Sequence, residues 1–125
     1  MSLLDEQLEK LRETYPDASM EKRPDGPAVV VVPGIDLPGG WNCSTTTVFF
    51  LVPLGFPMAQ PDCFWTEDSL RLSNGQIPKN AGVQMPPFGQ SQKLWFSWHV
   101  ANWSQSRDSL KTYLGVIKSR LARPE

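Results

Sequence analysis

The sequence predicts an α+β fold in which helices at either end flank an antiparallel β-meander of three to four strands. Three observations carry that expectation. Residues 2–15 place Leu4, Leu8, Leu11 and Tyr15 on one face at helical spacing. Residues 28–32 and 44–52, AVVVV and STTTVFFLV, are β-branched and apolar in the manner of core strands. Leu110, Tyr113, Leu114, Ile117 and Leu121 then repeat the helical stripe near the far end. Helices segregated from a run of strands argue α+β, because each helix then buries its stripe on one face of the sheet.

The first helix has its own boundary chemistry. Ser2 can accept the first free N–H groups, and Asp5 and Glu6 put negative charge at the positive end of the helix dipole. Pro16 disfavours helical dihedrals in the residue before it, so the helix should stop near Thr14 or Tyr15. Residues 16–27, polar and holding Pro24 and Gly26, read as a connector with turn chemistry. Pro33-Gly34 is expected to end the first strand, and 35–41, with paired glycines, to form a turn. Pro53 closes the second strand, and 54–62 holds too many prolines for regular structure. Cys63 to Thr66 can supply a third strand, and 92–98 is strand-like in composition. Between them, residues 73–91 read as one long loop of a kind that is often functional. The second helix is expected from Ser104 or Ser106 to about Ala122, with Lys118, Arg120 and Arg123 at the end that favours positive charge.

Composition narrows the function. At 125 residues the chain is read as a single domain, 1–125, able to bury a core without a staple. Twelve basic residues face thirteen acidic ones, so there is no basic field of the kind that holds nucleic acid. The apolar runs are proline-broken and too short to span a bilayer, and the N-terminus lacks the basic and apolar regions of a signal peptide. A soluble, cytoplasmic protein with no membrane or nucleic-acid partner is the expectation. Cys43 and Cys63 have no metal-type spacing; they are read as free thiols, with no metal and no cofactor implied.

The central stretch VVVVPGIDLPGGWNCSTTTVFFLVPLGFPMAQPDCFW carries an ordered set of features: Gly34, Gly39-Gly40, Phe49 to Pro53, Phe56-Pro57 and Pro61. Trp103 and Ser104 then precede the aliphatic stripe from Leu110 to Leu121. In this order they resemble the ubiquitin-conjugating (UBC) fold over roughly residues 3 to 122. The tail, WFSWHVANW followed by DSLKTYL, is similar to the prokaryotic ubiquitin-conjugating-like family E, associated with bacterial ubiquitin-like modification systems. The resemblance implies a ubiquitin-like modifier and an activating enzyme as partners. It also implies a catalytic cysteine after the long loop, a thiolate that takes the modifier as a thioester, and an Asn that stabilises the oxyanion.

The chain departs from that pattern. No residue from Phe64 to Glu125 is a cysteine, and Ile77-Pro78-Lys79-Asn80 only loosely matches the family's His-Pro-Asn. The single histidine, His99, lies near the expected place of the thiol, although counting back from Trp103 puts that place nearer Trp95. An imidazole can serve as acid, base or ligand at cell pH. The candidate site is therefore His99 in place of the usual cysteine, with Cys63 as alternative and Asn102 and Asn80 as polar partners. Each has a structural reading beside the functional one. His99 can cap Trp103 or a helix end, and Cys63 and Cys43 can be buried apolar side chains. In the long loop, Met85, Pro86 and Pro87 are read as a lip for a partner and Phe88 as a plug in the core; Trp65 and Trp103 are expected to be largely buried. Two functions follow: a protein that accepts or positions a modifier, or a non-catalytic module that binds a ubiquitin-like protein or an activating enzyme.

Overall fold

The computed structural model describes residues 2–23, 26–89 and 91–125. Chain order is α1 (Leu3–Arg12), β1 (Ser19–Arg23), β2 (Gly26–Asp36), β3 (Thr45–Val52), β4 (Cys63–Thr66), β5 (Ala81–Gln84), β6 (Lys93–Ser97) and α2 (Leu110–Leu121). The strands form one sheet in the order β1-β2-β3-β4-β6-β5, antiparallel at every pairing. The α+β class and both terminal helices are present, but the sheet has six strands rather than three to four. No helix among the described residues is long and apolar enough to cross a membrane.

Strand alternation sorts the side chains onto two faces. On the inner face one continuous row runs Met20, Val30, Phe50, Phe64, Phe96, Ala81, one residue from each strand in direct register. Phe64 and Phe96 stack in parallel with ring centroids 4.6 Å apart, and α2 lays Tyr113 edge-on against Phe50 at 5.2 Å. Phe50, Phe64, Phe96, Tyr113 and Ile117 are all fully buried. The α2 stripe read from the sequence is buried throughout, whereas α1 buries only Leu8 and Leu11. The two helices are tied by the Gln7 side chain, whose Oε1 accepts the otherwise free N–H of Leu110 at 2.8 Å. The outer row is Ser19, Val31, Phe49, Trp65, Trp95, Gly82. Trp65 is 3% exposed because Phe88 packs edge-on against it at 5.1 Å and stacks on Phe49 at 6.0 Å. Phe88 thus covers the outer face and does not plug the core.

Several local expectations are corrected. The connector 16–27 contains β1, a polar strand, and the start of β2; its Pro24 lies outside the described residues. Pro33-Gly34 does not end β2. Gly34 adopts φ +77°, the register shifts between Val32 and Ile35, and the strand resumes to pair Ile35 with Thr46. A bulge absorbs the missing proline donor there, and only glycine takes that dihedral without cost. The long loop carries β5 at 81–84, which pairs with β6. The second helix starts at Leu110, later than Ser104 or Ser106. Asp108 takes the Ser104 N–H at 2.8 Å, and Ser109 forms a reciprocal cap with Thr112. Trp103 is half-buried; its indole N–H donates to the Pro57 carbonyl at 2.8 Å.

Two outcomes follow from this packing. Phe64→Ala removes one ring of the central stack and should cost about 3–5 kcal/mol of unfolding free energy in a denaturant titration. The backbone N–H of Ser104, and secondarily Arg107, hold the buried Asp108 carboxyl below its ordinary value. Its contribution is therefore complete above about pH 3.9, the unperturbed value, and is lost as pH falls through the lower folded value. Asp108→Asn should flatten the acid limb of a stability-versus-pH curve in that window.

Candidate functional site

The inner face is committed to the core, so chemistry must come from the sheet's ends, its outer face or the loops. At one end, β4 begins with Cys63, which pairs across the ladder with Ser97, the last residue of β6. Beyond Ser97 the chain leaves the sheet as Trp98-His99-Val100. Asp62 is thereby brought beside His99, and Cys63 stands at the same end of the sheet. The His99 ring is not sealed: its side chain is 61% exposed, and Nδ1 lies 3.8 Å from Oδ1 of Asp62, itself 86% exposed. That separation exceeds a hydrogen bond and forms an ion pair only when the ring is protonated. At such exposure the pair adds little stability, at most about 1 kcal/mol. With the carboxylate on the Nδ1 side, Nε2 faces away from it. Nε2 has no protein partner among the described residues.

Cys63 has the opposite character. Its thiol is half-buried on the outer side of the sheet. Burial pushes the thiol above its ordinary value, the Trp95 side chain acts against that, and the Asp62 carboxylate adds to it. A nucleophilic cysteine needs a positive, partly open setting that favours thiolate; Cys63 has an apolar strand environment and a neighbouring anion. Cys43 is exposed in the turn before β3, and both thiols are free.

The two asparagines are placed by backbone geometry. Asn80 and Asn102 adopt φ +57° and +56°, left-handed conformations that Asn tolerates better than most residues. The Asn80 carbonyl accepts the Ser97 N–H at 3.0 Å, which brings it to the same sheet end as Cys63. The Asn102 carbonyl accepts from Arg107 at 2.7 Å, closing the turn that follows His99. No hydrogen bond among the described residues joins either side-chain amide to His99. Met85 is exposed, but Pro86 is buried, so the lip read from the sequence is narrower than expected.

Asp62 carries no signal in the sequence beyond its place after Pro61, directly before a strand; the register that sets it beside His99 is tertiary. No group of three or more His, Cys, Asp and Glu residues fit to hold a metal ion occurs among the described residues.

Comparison with protein families matches residues 3–124 to the description "prokaryotic E2 family E". Comparison with curated proteins and with solved structures gives no match.

The contrast between the two thiols has a direct readout. With iodoacetamide near pH 8, peptide mapping should find Cys43 alkylated first and Cys63 at least about 10-fold more slowly, because both burial and the scarcity of thiolate protect it. Equal rates would mean that Cys63 is open and activated.

Proposed function

The chain belongs to the prokaryotic E2 family E, matched over residues 3–124, and from that premise we propose that it positions a ubiquitin-like modifier for transfer, with His99 serving where relatives of the fold use a thiol. The observation that carries this reading is the exposed imidazole with Nδ1 toward Asp62, at the sheet end where Cys63 has a thiol raised by burial. In the step proposed, a neutral acceptor amine attacks the activated C-terminal carbonyl carbon of the modifier. Nε2 of His99 takes the amine proton as the new C–N bond forms. The leaving group, a thiolate or phosphate supplied with the activating enzyme, departs with the electron pair of the bond that breaks. Asp62 orients the ring and stabilises the imidazolium that results. Asn80 is the proposed oxyanion donor, since its backbone is tied to the same sheet end; Asn102 is the alternative.

A second reading has its own support: there is no cysteine after Cys63, and Cys63 is half-buried. A non-catalytic module would bind the modifier or the activating enzyme and leave the chemistry to a partner.

Transfer assays with the cognate activating enzyme, ATP and modifier separate the readings, run on gels with and without reductant and hydroxylamine. The proposal expects His99→Ala to slow transfer by about 100-fold or more, the scale of a lost general base, with the fold intact. Cys63→Ala should leave transfer essentially unchanged. A reductant-sensitive adduct that disappears in Cys63→Ala would move the site to the thiol. Unaltered modifier binding, with transfer indifferent to His99→Ala, would favour the binding module.

A further inference from the structure

His99 lies in a segment, residues 98–103, that belongs to neither strand nor helix. Its backbone is nevertheless held on both sides by side chains from distant parts of the chain. The carbonyl of Trp98, which belongs to the peptide unit before His99, accepts a hydrogen bond from the Tyr113 hydroxyl at 2.9 Å. The N–H of Val100, which belongs to the peptide unit after it, donates to Oε1 of Gln60 at 2.9 Å. Each peptide unit is planar, so anchoring the two planes that meet at the His99 Cα restricts its φ and ψ and with them the direction of the Cα–Cβ bond.

We infer that Gln60 and Tyr113 are positioning residues that aim the His99 ring at Asp62, an inference that rests on the role proposed for His99. Gln60 stands two residues before Asp62. The same short segment therefore supplies the carboxylate and anchors the backbone of the residue facing it, so the two sides of the pair move together. Tyr113 is fully buried in α2, with its ring against Phe50, which makes its hydroxyl a rigid donor reaching from the core to the surface. Burial, and then the nearby Cys63 and Asp62, push the phenol well above its ordinary range, so it remains a donor at every working pH. The Trp98 ring is held as well, with the guanidinium groups of Arg120 and Arg123 each 5.6 Å from its centroid. Arg120 also donates to the Lys79 carbonyl at 3.0 Å, one residue before Asn80, so the neighbouring loop shares that anchor.

The test compares wild type with Gln60→Met, which keeps bulk and loses the acceptor oxygen, Gln60→Glu, which keeps an acceptor, and Tyr113→Phe, which loses only the hydroxyl. Two readouts are taken: order of the His99 ring by NMR relaxation, and the rate of transfer at saturating modifier together with modifier affinity. Gln60→Met and Tyr113→Phe should each leave the ring more mobile and slow transfer by about 10- to 100-fold, the scale of a misplaced reacting group, with affinity unchanged. Gln60→Glu should retain both ring order and rate. In a His99→Ala background, Gln60→Met should have no further effect, because it acts through the ring. A ring equally ordered in Gln60→Met and Tyr113→Phe overturns the inference, as does an undiminished effect of Gln60→Met on transfer in the His99→Ala background. Should His99→Ala alone leave transfer untouched, the proposed function fails, and ring order by itself then decides whether the clamp exists.

Discussion

The row of side chains across the inner face of the sheet is the constraint on which the remaining structure depends. Val30, Phe50, Phe64 and Phe96 stand in register across four strands, and the row reaches both edges at Met20 and Ala81. A shift of any strand by one residue would turn its apolar set outward and the opposite set inward. Helix α2 can lie on this row because its buried stripe meets it, with Tyr113 against Phe50 as the closest aromatic contact between helix and sheet. Fixing the register on the inside also fixes what appears at the sheet's end. Cys63 opposes Ser97 only because Phe64 opposes Phe96 one residue further along.

The same geometry explains why a thiol in the last ladder pair and an imidazole two residues beyond it differ so much. Cys63 is part of the ladder and shares its shelter, and burial there raises the energy of the charged form. His99 has passed the end of the ladder and keeps its ring in water. Nucleophilic sulfur chemistry needs the thiolate, so the more reactive element occupies the less useful position. Proton transfer by the imidazole requires only access and orientation, both of which a surface corner can provide.

Much of the fold is legible in the sequence. The α2 stripe, the β-branched β2 and β3, and the short β4 and β6 follow from periodicity and composition. The misses share a cause. Strand β1, SMEKR, is polar at an edge of the sheet, and β5, AGVQ, is short at the other edge, so neither carries the apolar signature of a covered strand. Pro33-Gly34 reads locally as a stop and acts globally as a bulge. Ser104 and Ser106 offer capping side chains ahead of the true cap, Ser109, whose reciprocal bonds with Thr112 fix the start of α2, while Asp108 takes the Ser104 N–H. At the candidate site, His99 stands out in the sequence as the single imidazole, set among tryptophans. Asp62, Gln60 and the Tyr113 hydroxyl do not, since their meaning depends on contacts across 15 to 40 residues of chain or on a strand register.

If His99 acts as proposed, the corner formed by Asp62, Cys63 and His99 is where the chain meets the modifier's reacting end. Titrating the isotopically labelled protein with its cognate ubiquitin-like modifier, while following backbone and His99 ring resonances, tests this most directly. The largest perturbations should fall on Asp62, Cys63, Ser97, His99 and Val100. Perturbations confined to α1 or to the exposed Leu54 and Met58, with this corner silent at saturation, would contradict it.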